Sequence, residues 1–330
     1  MTTLTSPHDL LAAVPFLIGY HPENSLVIIA IKENQAGLAM RVDYPTELPF
    51  LQIDFLISHL LKQQADSALI VGYISARAEF HHQVLESLVN ALNEKAIVVR
   101  ESLLVDGDRW RSTICQDKEC CPPRGRVLPD IKNSRVACER VVDGAPMPFA
   151  NEKVAKEMLS SHHHVKELAA AIARIAPIDY QASSVQKLQR EGAVALNELA
   201  QEFIAKRGSD RIDLVALVLV RLLDLQVRDY GLGMATADNK EALLEMWRWL
   251  MTISPQGFGA APATLFAELL YERGDGALAV RALERAELDD PEYTLTKLLR
   301  RTFAAGWPPE NFAKMRAELH PKITETLFGG

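Results

Sequence analysis

The stretch PFLIGYHPENSLVIIAI, Pro15–Ile31, sets two apolar runs on either side of the polar knot GYHPEN. Which run is helix and which is strand decides the class of the first half. Upstream, SPHDLLAAVPFLI opens on Ser6, carries Pro7 at the first helical position and places Asp9 three residues after the serine, close to a capping box. Gly19 suits the left-handed position that ends such a helix, and Pro22 stops its continuation. Asn24 and Ser25 then lead into SLVIIAI, a short β-branched run that reads as a buried strand. Turn geometry leaves only His21 and Glu23 unexplained. They are expected to contact the Cys/Arg-rich segment described below, or the helical half. The knot precedes its strand, whereas α/β ligands usually gather at carboxyl ends.

Working outward, GLAMRVDYP follows SLVIIAI across the polar loop KENQAG, as in a hairpin. LPFLQIDFLISHLLKQQ is apolar at helical spacing, SALIVGYIS is a second buried strand, and EFHHQVLESLVNALNEK is another amphipathic helix. AIVVRESLLV and RWRSTI flank the turn Asp106-Gly107-Asp108. These segments predict an α/β domain over residues 1–145, three layers around a mixed sheet with at least two crossover helices, with a Cys/Arg-rich loop at 109–140. After the proline-punctuated joint GAPMPFA the β-branched density disappears, and residues 146–330 read as all-α. Within them, PATLFAELLYERGDGALAVRALERAELDDPEY spaces Gly274, Ala279, Leu283, Ala286 and Pro291 as a tetratricopeptide-like helical hairpin does.

Composition narrows the functional classes. A chain of 330 residues with 48% hydrophobic content can build two cores. A net charge of -7 and a pI near 5.8 argue against a surface that grips nucleic acid or an anionic membrane over its whole extent. Four cysteines do not make a disulfide scaffold, and no basic residue precedes the first apolar run, so a cytoplasmic protein without membrane association is expected.

The remaining candidates are local. Cys115, Cys120 and Cys121 offer thiols to zinc or another metal, yet a structural zinc site wants four donors, and adjacent cysteines tend to diverge. Small packed residues in a proline-stiffened loop, and a redox pair, are the competing readings. From Arg109 to Arg140 there are eight basic and four acidic residues, a local balance of +4. Arg109, Trp110 and Arg126 are therefore candidates for holding an anion such as phosphate, against the plainer reading of solvated or paired arginines. Asp43 and Ser75 fall just beyond strand carboxyl ends, although Asp43 also suits accepting backbone hydrogen bonds before Pro45. Arg228 and Asp229 read as a buried ion pair. His81 and His82, like His162, His163 and His164, are consecutive and cannot converge on one ion.

No P-loop, zincin, nucleophile-elbow or deaminase pattern is present, so no catalytic residue is assigned. The letters G-x-G-x-x-A at Gly274–Ala279 lie between two helices, where a dinucleotide fingerprint has no meaning.

Four segments, LLAAVPFLIGYHPENSLVIIAI, RWRSTICQDKECCPPRG, LQVRDYG and YERGDGALAVRALERAELDDPEY, together resemble an actinobacterial family of unknown function, DUF4192, in the right order along nearly the whole chain. The middle segment is the most specific, through Arg109, Trp110, Ser112, Cys115, Cys120, Cys121, Pro122, Pro123 and Gly125. It departs from the family pattern at Arg111 and Arg124, and Cys138 lies outside it. The resemblance implies a bacterial, cytoplasmic setting and supplies no activity. Two classes follow: a non-enzymatic scaffold that binds a protein partner through its helical half, ranked first for lack of a catalytic constellation, and an enzyme or small-ligand sensor holding an anion at the Cys/Arg loop.

Overall fold

The first helix begins as its sequence dictates. In the computed structural model, which describes residues 4–74, 81–142, 147–159 and 166–329, the Ser6 hydroxyl accepts from the Asp9 amide at 3.2 Å. Asp9 in turn accepts from the Thr5 amide at 2.9 Å and the Thr5 hydroxyl at 2.7 Å. Helix α1 (Pro7–Ile18) ends at Gly19, whose φ of 82° lets its N–H reach the Pro15 carbonyl. Ser75 and His162–His164 lie outside the described residues.

Strands β1 (Ser25–Lys32) and β2 (Gln35–Asp43) form a hairpin closed by Glu33 and Asn34 alone, both at positive φ. The expected loop KENQAG is thus mostly strand. Helix α2 (Phe50–Lys62), strand β3 (Ser67–Ile74), helix α3 (His81–Glu94) and strand β4 (Val98–Asp106) follow. A two-residue turn at Gly107 and Asp108 leads into β5 (Arg109–Ser112), paired antiparallel with β4, and a short β6 (Arg126–Val127) closes the sheet. Helices α4 (Arg135–Val142) and α5 (Glu152–Leu159) come next. The 109–140 segment therefore contributes two strands and part of a helix to the fold.

The six strands lie in the order β2-β1-β3-β4-β5-β6. β1 is antiparallel to both neighbours, while β3 and β4 are parallel, so α2 and α3 are the two crossovers of a mixed sheet. Alternation divides the apolar residues between faces. Leu26, Ile28, Ile70 and Leu104 pack with Leu56, Leu60, Leu85 and Leu88 of α2 and α3. On the opposite face stand Val27, Val71, Tyr73, Val105 and Trp110, and the ring of Trp110 meets His8 of α1 edge-on at 5.4 Å. Ala12 and Ala13 of α1 pack in turn on Val136 of α4.

Contacts divide the chain into one unit of residues 1–155 with 274–277 and 305–307, and a second of 156–273, 278–304 and 308–330. The described elements of the second unit are helical: α6 (Lys166–Ile172), α7 (Val185–Lys206), α8 (Ile212–Arg221), α9 (Leu225–Gly233), α10 (Lys240–Ile253), α11 (Ala260–Arg273), α12 (Gly276–Asp289), α13 (Thr294–Ala304) and α14 (Glu310–Phe328). Its largest fully buried side chains are Trp247, Phe203 and Phe312. Asp289, the last residue of α12, accepts from the amides of Gly257, Gly259 and Ala260 at 2.8–3.0 Å and so closes the first turn of α11. α11 and α12 thus run antiparallel, with Ala279, Leu283 and Ala286 fully buried. Among the described residues no helix is long and apolar enough to cross a membrane.

Candidate functional site

The reversed direction of β1 moves the knot. Ser25, at the amino end of β1, pairs with Asp43 at the end of β2 and with Tyr73 near the end of β3, and Tyr73 pairs with Val105 near the end of β4. The amino end of β1 therefore shares a sheet edge with the carboxyl ends of β2, β3 and β4. The expectation that the knot stands at the wrong end for a ligand is corrected, because it holds only if β1 runs parallel to its neighbours. The pairing continues from Val105 to Trp110 and from Trp110 to Arg126. Asp43, Trp110 and Arg126 thus lie in one row across the sheet, together with Ser25, Tyr73 and Val105.

At this edge a cleft of about 310 Å³ opens between α1, the knot and the segment after β6. His21, Glu23, Asn24, Tyr73, Val105 and Ile131 are among its walls, which are mostly apolar. The knot is fixed by backbone: His21 donates to the Phe149 carbonyl at 3.0 Å, and Phe149 donates back to Gly19 at 2.9 Å. Burial, with the charge of Lys132 added, holds the His21 imidazole below its ordinary range, so it is neutral at neutral pH. The Tyr73 hydroxyl is shielded from solvent and has no hydrogen-bond partner among the described residues, and burial pushes its pKa far up. Glu23 stands exposed at the rim, and its carbonyl accepts from the Ser25 hydroxyl at 2.7 Å.

Beside the cleft lies a group that sequence reasoning missed. Arg41, with its side chain 9% exposed, donates to the Ser25 hydroxyl at 2.8 Å and pairs with Asp43 at 2.7 Å and Glu152 at 3.0 Å. Alternation was the available signal, since it puts Arg41 on the same face as Ala39. Asp43, almost fully exposed, pairs with this guanidinium, where acceptance of backbone N–H groups was expected.

The Cys/Arg segment departs from expectation in two ways. First, Arg109 donates to the Gly125 carbonyl at 3.1 Å, and Arg126 donates to the carbonyls of Cys120 and Glu119 at 2.6 and 3.0 Å. Both guanidinium groups staple the loop, and Trp110 is a core residue, 4% exposed. Second, the three thiols converge: the sulfurs of Cys115, Cys120 and Cys121 all lie within 4.8 Å of one another. Adjacent cysteines meet here because Asp117 bends the chain, its carboxylate accepting from the amides of Glu119 and Cys120 and its carbonyl from Cys121 at 2.7 Å. The Ser112 hydroxyl accepts from the Cys115 amide at 3.2 Å and donates to Glu101 at 2.6 Å. Burial, reinforced by hydrogen bonding to the other two thiols, pushes the Cys121 thiol up to about 11. Cys138, exposed on α4, is not in this group.

In the helical unit Arg228 is buried and donates twice to Asp229, at 2.8 and 2.5 Å, the ion pair the sequence suggested. A second buried ionic group went unread. Glu268 of α11 lies 3.3 Å from the Arg316 guanidinium, which also bonds Glu272 and the Ala235 carbonyl.

None of the curated proteins and none of the solved structures compared with the chain matches it. The family described as a domain of unknown function, DUF4192, matches residues 7–310, a span that takes in the sheet, the knot, the cysteine loop and the helices through α13, and the chain belongs to that family.

Proposed function

We propose that the protein binds a small molecule in the cleft at the carboxyl edge of its sheet, as a sensor or carrier. The observation that carries this reading is Tyr73, which lines a largely apolar cleft and whose buried hydroxyl has no hydrogen-bond partner among the described residues. Leaving such a group unpaired costs about 1–3 kcal/mol, which a ligand bearing one hydrogen-bonding group would recover. His21 supplies a second neutral polar group, and among the described residues no charged side chain is buried in the walls. The ligand this selects has an apolar body and a neutral polar end. An anionic ligand at the Cys/Arg loop is less well supported, because Arg109 and Arg126 already donate to loop carbonyls.

The test uses phenol and indole as probes in methyl-detected NMR of the full chain. Saturable shifts at the Val105 and Ile131 methyls are expected, abolished by Leu128→Trp, which fills the cleft, and weakened several-fold by Tyr73→Phe. Shifts spread over both units, or unchanged in Leu128→Trp, would overturn the reading.

The scaffold reading keeps one supporting observation, the antiparallel pairing of α11 and α12 through Asp289. A tetratricopeptide-like hairpin in this place would offer a groove for a partner protein. A pull-down with residues 156–330 that returns no partner retained by the full chain counts against it.

A further inference from the structure

We infer that Cys115, Cys120 and Cys121 form a three-thiolate site for a soft divalent cation, zinc above all, with its fourth coordination position open. The site is separate from the sheet-edge cleft and stands whether or not that cleft binds a ligand.

The geometry is the first ground. Three sulfurs around one zinc at about 2.3 Å sit roughly 3.8 Å apart, so sulfurs already within 4.8 Å of one another close on an ion by moving less than about 1 Å. A disulfide between any two would require about 2.05 Å and strand the third. The second ground is the construction of the loop. Arg126 clamps the Cys120 and Glu119 carbonyls, Asp117 gathers three amides, and Ser112, itself anchored on Glu101, takes the Cys115 amide. Each cysteine is thus positioned by a bond from its own backbone, the outer support that metal ligands require.

Charge is the third. Binding releases one proton from each thiol and leaves three thiolates around a dication, a net charge of -1. The segment that carries them has eight basic residues against four acidic ones, which favours that anion. Mutual crowding that opposes ionisation of three adjacent thiols is reversed once a cation sits between them. Soft thiolate donors select zinc or copper(I) over magnesium and calcium. Among the described residues no fourth side chain joins the group, and Cys120 is exposed, so an ion can enter and keep a position for water or another small ligand.

The full chain, reduced and stripped of metal by chelator, is titrated with Cd²⁺ and followed by sulfur-to-metal charge-transfer absorbance. A plateau at one equivalent is expected, and zinc loaded beforehand should slow the rise of the band until cadmium displaces it. Cys115→Ser and Cys121→Ser should each lower the affinity by more than the ~10–100-fold that loss of a supporting hydrogen bond costs. Cys138→Ser should leave it unchanged. An alkylation footprint read by mass spectrometry guards against misfolded variants: in the unmutated chain zinc should protect Cys115, Cys120 and Cys121 and leave Cys138 reactive. Absence of the absorbance band, equal alkylation of all four cysteines with and without zinc, or recovery of two of the three as a disulfide from cells quenched with alkylating agent would overturn the assignment.

Discussion

Replacing Glu268 with glutamine should flatten the dependence of the helical unit's stability on pH. Glu268 is 1% exposed on α11, and neither of its carboxylate oxygens accepts a hydrogen bond among the described residues. Its neighbours Arg316 and Lys240 direct their hydrogen bonds to Glu272 instead. Burial outweighs the attraction of Arg316, and the Glu268 carboxyl is pushed up from 4.5 to about 8. A folded-state value raised above the unfolded one means that the folded chain holds the extra proton between these limits. Stability from this group is therefore complete below pH 4.5 and is lost progressively as the pH rises to about 8. The gap of about 3.5 in pH, at about 1.36 kcal/mol for each, gives roughly 5 kcal/mol. Urea denaturation of the wild type and of Glu268→Gln, followed by far-ultraviolet circular dichroism from pH 4.5 to 8.5, measures it. Titrating groups outside the cluster of Glu268, Glu272, Arg316 and Lys240 cancel in the difference between the two curves. That difference should grow by several kcal/mol in favour of the glutamine variant and level off above pH 8. A difference that stays flat would refute the reasoning, and one that grows as the pH falls would show that Glu268 is held as a carboxylate by Arg316.

Two further perturbations follow from packing and capping. At Gly233 a β-carbon would meet the His320 side chain, with His320 Cβ at 2.7 Å, so Gly233→Ala should cost about 1–3 kcal/mol in urea denaturation. Asp289→Ala removes the acceptor of three amides at the start of α11 and should cost about 2 kcal/mol, read as a lower denaturation midpoint with an unchanged slope.

Local features were legible in the sequence because their causes are local. Ser6, Pro7, Asp9 and Gly19 bound α1 through contacts no more than four residues apart, and the aspartate-glycine turn before Arg109 announced a hairpin. Strand direction was not legible: nothing in SLVIIAI says whether its neighbours run with it or against it, and the placing of His21 and Glu23 depends on that alone. The convergence of the three thiols was not legible for a related reason. Adjacent side chains diverge in extended or helical backbone, but the turn built on Asp117 is neither. Arg41 and Glu268 were missed because their burial is not visible in sequence: with Asp43 two residues from Arg41, and Glu272 and Arg273 close to Glu268, both read as surface charges. Their partners Glu152 and Arg316 lie far along the chain.

The bond from Asp289 to the start of α11 has a kinetic consequence. A helix ordinarily frays from its ends, and the amides of its first turn exchange with solvent even while the rest is intact. Here the acceptor for Gly259 and Ala260 arrives from the last residue of the following helix. Deuterium uptake at those two amides therefore reports the undocking of α12, and the pair opens as one cooperative unit instead of melting turn by turn.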